Sequence, residues 1–241
     1  MARSKYINTF DTTAEYNNYI ESALPAFPNV GYDKEAGEVI IRRSSPNDYQ
    51  IWGTTTATEN FNIKLNNKNV EVTVDPILGE FYLTGFTENL TSLERCFSEN
   101  NTITSIKKFA LDTSNVTTIK YMLHNCHSLK SVNLSGMNTE KVTNMSGLFY
   151  SYPFPPLNYI DLTGWNLSSS NINVEQCMYG NPRGTNASIY ITEEATLNLL
   201  TNNLQNASDG GTWSQCIGRD ATIYYNDIIY KWNKNAWTPQ S

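Results

Sequence analysis

Charged side chains are scarce in this sequence. They make up 17% of its 241 residues, and the formal net charge is −6 at pH 7. A chain of this charge lacks the basic surface with which proteins bind nucleic acid or an anionic membrane. The few paired basic residues, at 42–43 and 107–108, are typical of solvated faces. The composition therefore predicts neither nucleic acid nor a membrane as a partner.

Long hydrophobic runs are also missing. No apolar segment is long enough to cross a membrane as a helix. Residues 1–6 lead directly into polar sequence, without the apolar core of a signal peptide. This pattern favours a protein that is assembled in the cytoplasm over one that is exported by a signal peptide.

Histidine occurs only twice, as His124 and His127 in one predicted loop. A protein zinc site needs three or four ligands in a defined geometry, so we predict no metal site here. The loop is instead predicted to be an oligomer contact. If three copies of the chain met at this loop, their histidines could still come together.

Catalytic signatures are lacking as well. Glu193 and Glu194 are adjacent, and neighbouring helix positions do not face each other, so they do not form a glycosidase pair. The sequence has no nucleophilic serine motif, phosphate-binding loop or dinucleotide glycine pattern. We therefore predict that the protein is not an enzyme and holds no cofactor.

What the sequence does have is an internal repeat, over residues 81–192. One apolar position recurs with steps of 26, 26 and 29 residues, and a second recurs with steps of 26, 28 and 29. The first set is Phe97, Leu123, Phe149 and Met178, and the second is Ile106, Val132, Ile160 and Ile189. A fixed period in the twenties indicates a solenoid, in which each coil packs on its neighbours.

Each coil combines two phrases. Alternating apolar residues such as Val132 and Leu134 predict a short strand, which the following Ser135–Gly136 ends. Apolar residues at i, i+3 and i+4, such as Met145, Leu148 and Phe149, predict about one helical turn packed on the strand.

The cysteines fit the same repeat pattern. No C-x-x-C spacing suggests a zinc site. Cys96 and Cys177 occupy the inward repeat position that Met122 and Leu148 hold in other copies. We therefore predict that they are small buried hydrophobic side chains.

The flanking segments predict a β-rich α+β fold with three segments. Residues 1–56 are predicted to form an α+β docking or capping segment, with a short helix near residues 13–22 and a hairpin of residues 30–32 and 38–41. Residues 57–192 are predicted to form a leucine-rich-repeat-like solenoid of about 4 coils of 26–29 residues, led by a hairpin of residues 61–65 and 70–74. Residues 193–241 are predicted to cap it with a helix and a hairpin of residues 221–225 and 228–232.

The two phrases together resemble the BspA-type leucine-rich repeat of bacterial surface and phage proteins. The resemblance is carried by residues 142–149 (VTNMSGLF) and 129–137 (LKSVNLSGM). It covers about 110 residues and implies a module for display and adhesion. Pro153, Pro155 and Pro156 interrupt the pattern.

The opening of the chain is similar to structural proteins of crAss-like phages of gut Bacteroidetes. The matching residues are 16–20 (YNNYI), 27–32 (FPNVGY) and 38–39 (EV). This similarity implies that residues 1–42 dock on other virion proteins. It also implies a homo-oligomer on the particle surface, most often a trimer, that is made in the host cytoplasm.

Aromatic residues cluster around the proline-rich interruption. They are Tyr150, Tyr152, Phe154, Tyr159 and Trp165. Sugars stack on exposed aromatic rings, so this cluster is a candidate contact with a host-surface glycan or another partner. The alternative is a locally thick core combined with an oligomer contact.

The resemblances lead to one functional expectation and one rival. The protein is expected to be a phage head fibre or capsid decoration protein, with its repeat domain displayed for adhesion. The rival is a BspA-like adhesin of a bacterial cell surface, which would need an export signal.

Overall fold

The computed structural model describes residues 30–33, 38–41, 48–151, 157–169, 171–177, 187–203, 205–206, 216–217, 221–233 and 236–240. The chain divides into two compact units, residues 1–49 and residues 50–241. In the first unit, β1 (Val30–Asp33) and β2 (Glu38–Ile41) form the predicted antiparallel hairpin. The helix predicted near residues 13–22 lies outside the described residues.

The second unit is built on one eleven-stranded sheet. Its strand order is β15-β14-β13-β10-β9-β8-β7-β3-β6-β5-β4. The strands are β3 (Ile51–Thr55), β4 (Phe61–Leu65), β5 (Lys68–Asp75), β6 (Glu80–Leu83), β7 (Ile103–Phe109), β8 (Ser131–Asn133), β9 (Tyr159–Asp161), β10 (Ser188–Ile191), β13 (Thr222–Tyr225), β14 (Ile228–Asn233) and β15 (Ala236–Gln240). The short strands β11 (Gln205–Asn206) and β12 (Cys216–Ile217) form a separate parallel pair. The described residues contain one α-helix, α1 (Glu194–Asn203).

This architecture corrects the predicted fold class. A solenoid between an α+β docking segment and a separate cap is wrong, because the predicted leading and closing hairpins are strands of the same sheet. Six of the ten strand pairings in that sheet are antiparallel, and the described residues contain only one α-helix. The described N-terminal residues contribute a hairpin and no α+β segment.

The repeat period does set the register in the middle of the sheet. Strands β7, β8, β9 and β10 are parallel, and the predicted anchors Ile106, Val132, Ile160 and Ile189 are direct partners. All four side chains are at most 1% exposed. Strand β13 continues the parallel series with Ile223 beside Ile189. The recurring apolar position therefore becomes one continuous row of the core.

The antiparallel strands on one side of this centre pack around phenylalanine rings. The centroids of Phe61 and Phe81 lie 5.4 Å apart, those of Phe81 and Phe97 6.4 Å, and those of Phe97 and Phe109 6.3 Å, with tilted or edge-to-face planes. Such offsets are the favourable arrangements for aromatic pairs. At Gly53 a Cβ would lie 2.0 Å from the Ser105 carbonyl oxygen, so only glycine lets β3 approach β7 this closely.

The helix α1 closes the core at the other side. Thr196 is fully buried, and its hydroxyl donates to the Trp165 carbonyl and accepts the Leu167 N–H at 3.3 Å.

Thr113, in the repeat, forms similar bonds with the N–H and carbonyl of Asn138. Thr139 follows Thr113 by one repeat, but its buried hydroxyl has no hydrogen-bond partner.

Thr196 and Thr139 give a matched test of the packing. We expect Thr196→Val to lower the free energy of unfolding by about 1–3 kcal/mol, because it leaves a buried N–H and a buried carbonyl unpaired. We expect Thr139→Val to be neutral or stabilising, because it removes a hydroxyl that is already unpaired. Urea unfolding of both variants measures the difference, and equal losses in the two would contradict this assignment.

The predicted division into residues 1–56, 57–192 and 193–241 stays a prediction.

No helix within the described ranges is long and apolar enough to cross a membrane.

Candidate binding surfaces

The repeat motif that includes Met145, Leu148 and Phe149 folds into turns that stack on one another. Each turn begins with a short polar side chain, which accepts the N–H of the residue two positions later. The acceptors are Ser92, Thr118, Asn144 and Asn173, at 2.9–3.3 Å from the N–H of Glu94, Lys120, Ser146 and Glu175. Hydroxyl and amide side chains favour such turns because they can replace a backbone acceptor. The same four residues form parallel bridges from one copy to the next.

The backbone of these turns is bonded across copies, so the predicted helical turn is wrong. Arg95 N–H donates to the Lys120 carbonyl at 3.0 Å, and Tyr121 N–H donates to the Ser146 carbonyl at 2.9 Å. Gly147 N–H donates to the Glu175 carbonyl at 2.9 Å. A helical turn would have directed its N–H groups along its own axis. The third residue after each side-chain acceptor has a positive φ. These residues are Arg95, Tyr121, Gly147 and Gln176.

We call residues 92–99, 118–125, 144–151 and 173–177 the turn surface. On it, the His124 ring contacts two tyrosines at 5.1 Å, edge-on with Tyr121 and stacked with Tyr150. The guanidinium of Arg95 lies 4.9 Å from the Tyr121 ring centroid. A Cβ at Gly147 would lie 2.2 Å from that ring, so glycine is what allows the ring to pack there.

Both histidines contact serines of the turn surface. His124 Nδ1 lies 3.3 Å from the Ser98 hydroxyl, and His127 Nδ1 lies 3.1 Å from the Ser151 hydroxyl. Burial lowers the pKa of His124 below its usual 6.5, and the nearby Arg95 charge lowers it further. The oligomer contact expected at these histidines stays a prediction.

The lowered pKa of His124 predicts a pH-dependent stability. Because the unfolded chain binds this proton more readily than the folded chain, stability is lost as pH falls through 6.5. His124→Phe keeps a ring between the tyrosines but cannot be protonated. We expect it to lose less thermal stability than the wild type between about pH 7.5 and about pH 5.5, measured by melting temperature. An identical loss in both proteins would contradict the prediction.

The parallel strands turn one side to the core and the other to solvent. We call the solvent-facing side the tyrosine face. It consists of the outward residues of β8, β9, β10 and β13: Ser131, Asn133, Tyr159, Asp161, Ser188, Tyr190, Thr222 and Tyr224. The rings of Tyr190 and Tyr224 are stacked, with 4.7 Å between centroids and 10° between planes. The Tyr159 ring lies 5.0 Å from that of Tyr190, tilted by 37°.

Asp161 is the carboxylate of the tyrosine face. Its Oδ1 accepts the Thr163 N–H at 3.0 Å, and its Oδ2 lies 3.4 Å from the Tyr159 hydroxyl. Partial burial raises the pKa of Tyr159, and the neighbouring Asp161 charge raises it further. The phenol therefore remains a neutral hydrogen-bond donor beside the Asp161 carboxylate.

The predicted aromatic contact set is distributed over different parts of the fold. Trp165 is fully buried, and its indole N–H donates to the Leu134 carbonyl at 2.8 Å. Tyr150 lies on the turn surface, and Tyr159 lies on the tyrosine face with 37% of its surface exposed. Tyr152 and Phe154 lie outside the described residues. As a contact site, the set stays a prediction.

Sequence reasoning missed Tyr190 and Tyr224. The signal was present, since each tyrosine directly follows a buried strand anchor, Ile189 or Ile223. Asn133 and Asp161 follow Val132 and Ile160 in the same way. Reading outward residues across the period, instead of along the chain, would have found them.

The cysteines whose side chains are described lie in the core. Cys96 and Cys177 are buried, as predicted, and so is Cys126. Burial raises the pKa of the Cys126 and Cys177 thiols to about 12. They therefore act as small core side chains and not as nucleophiles.

Comparison with known proteins adds a family to this geometry. The family model described as "Mycoplasma protein of unknown function, DUF285" matches residues 85–207, or 123 of the 241 residues. The chain belongs to the DUF285 family. No curated protein and no solved structure matches it. The DUF285 match includes the turn surface and two tyrosines of the tyrosine face, Tyr159 and Tyr190, whereas Tyr224 lies outside it.

Proposed function

We propose that this DUF285 protein is a non-enzymatic structural protein on the surface of a phage particle, a head fibre or capsid decoration protein with an adhesive role. The tyrosine face is the observation that carries the adhesive role. It collects three tyrosines, an acid, an amide and three hydroxyl side chains on one solvent-facing side. Aromatic rings with polar tips are suited to recognition because they offer contact area and hydrogen bonds together.

The placement on a particle rests on the N-terminal resemblance to virion proteins of crAss-like phages. Residues 1–49 form a compact unit of their own, which supports a separate docking role for residues 1–42. The repeat phrases, which resemble those of BspA-type proteins, support a display role for residues 50–241. We expect a homo-oligomer, with a trimer favoured, that is made in the host cytoplasm.

A bacterial cell-surface adhesin is the second candidate. The description of the matching family as a Mycoplasma protein favours this candidate. The same tyrosine face could serve adhesion from a cell surface, so location separates the two candidates.

Immunogold electron microscopy tests the location directly. An antibody raised against residues 50–241 is expected to label purified phage particles from cultures that carry the gene. Uninfected cells of the same strain, lacking the phage, are the control. Labelling of cell envelopes without labelling of particles would favour the adhesin and contradict the virion proposal.

Deletion of residues 1–42 tests the docking segment in the same particles. We expect the shortened protein to fold, because residues 50–241 form a compact unit, but to be missing from particles. Light scattering and circular dichroism check its folding. Normal labelling of particles that carry the shortened protein would contradict the docking role.

A further inference from the structure

We propose that the tyrosine face binds a neutral polysaccharide, with Tyr159 as the ring on which a sugar stacks and Asp161 and Asn133 as its hydrogen-bonding partners. This inference rests on the proposed adhesive function and names the ligand class and residues of that function.

The composition of the face favours a sugar over an apolar partner. Its eight outward residues are tyrosine, serine, threonine, asparagine and aspartate, with no aliphatic and no basic side chain among them. An apolar partner surface would leave the hydroxyl, amide and carboxylate groups of this face without hydrogen-bond partners. Sugar hydroxyls, in contrast, both donate and accept hydrogen bonds, and every side chain on this face can pair with them.

The charge of the face disfavours an anionic ligand. Asp161 gives the face one negative charge, which repels polyanions such as nucleic acid or an acidic polysaccharide. Among the described basic residues beside the face, Lys107 on β7 is 3.6 Å from the Glu80 carboxylate and 4.6 Å from the Trp52 ring centroid. Lys231 is on β14, opposite Thr222. A ligand without charge fits this distribution best.

Tyr159 lies at the end of the tyrosine stack. On one side its ring meets Tyr190, but its register partner on the other side is Ser131, whose side chain is short. At the far end of the stack, Tyr224 has Ile229 as its register partner. The Tyr159 ring is therefore the one with room beside it for a sugar, and it is 37% exposed.

The spacing of the strands suits a chain of sugars. Neighbouring strands lie about 4.8 Å apart, which is similar to the length of one sugar unit in an extended chain. Asn133 and Asp161 are direct register partners on adjacent strands. They can therefore contact hydroxyls of successive sugars in a chain that crosses the strands.

Affinity gel electrophoresis of the full chain tests this proposal. The probes are gels that contain amylopectin, a mixed-linkage β-glucan or mannan, with alginate and heparin gels as anionic comparisons. We expect retardation in at least one neutral gel and none in the anionic gels. Retardation in the anionic gels alone, or in no gel, would overturn the proposal.

Variants locate the site within the same experiment. Tyr159→Ala is expected to weaken binding about tenfold, while Tyr159→Phe keeps the ring and most of the affinity. Asp161→Asn keeps an acceptor for the Thr163 N–H and is expected to bind more weakly. Ile77→Ala is the control, since Ile77 is 52% exposed in the turn between β5 and β6, away from the tyrosine face. Melting temperatures confirm that each variant is folded.

Two other outcomes would also overturn the proposal. Wild-type retardation of a folded Tyr159→Ala protein would remove Tyr159 from the site. A fall in solution mass with Tyr159→Ala, without a change in glycan affinity, would assign the face to contacts between copies of the chain. Immunogold labelling of particles does not depend on glycan binding, so the virion proposal can stand or fail separately.

Discussion

The hydrogen bonds between successive turns are the interaction on which the rest of the second unit depends. Alternate N–H groups of each copy, such as those of Ile119 and Tyr121, donate to the next copy. The side chains packed beneath them, including Met122 and Leu148, are fully buried. If this bonding failed, N–H groups and carbonyls would be left unpaired beside the core, at about 1–3 kcal/mol each. The positive φ at Tyr121 and Gly147 accompanies this bonding pattern.

The same register arranges the proposed binding residues. A side chain in a strand alternates between faces, so a slip of one residue would bury Asp161 or Tyr190 and expose Ile160 or Ile189. The buried row of Val132, Ile160, Ile189 and Ile223 therefore holds the outward row of Asn133, Asp161, Tyr190 and Tyr224 in line. Stability and recognition come from opposite faces of the same short strands, and the core fixes the geometry of the surface.

Much of the local structure could be predicted from the sequence, but its assembly could not. The period predicted that Ile106, Val132, Ile160 and Ile189 align, and the hairpin predicted at residues 61–65 and 70–74 is formed by β4 and β5. Apolar residues at i, i+3 and i+4 are compatible with a helical turn and with a turn bonded to its neighbour, so that prediction was wrong. Nor does a period indicate that the flanking hairpins extend the same sheet. Trp165 was predicted as a surface candidate because it lies near the proline-rich interruption in the sequence. Its indole N–H instead bonds to Leu134 of the preceding copy, a contact that position along the chain does not reveal.

Hydrogen exchange of individual amides tests the stacked turns most directly. In a single helical turn that begins near Thr118, the N–H groups of Ile119 and Tyr121 would lack partners and exchange quickly. In this structure they donate to Asn144 and Ser146, whereas the N–H of Lys120 meets only the Thr118 hydroxyl at 3.3 Å. We expect slow exchange at Ile119 and Tyr121 and fast exchange at Lys120, resolved by NMR. Equally fast exchange at all three amides would contradict it.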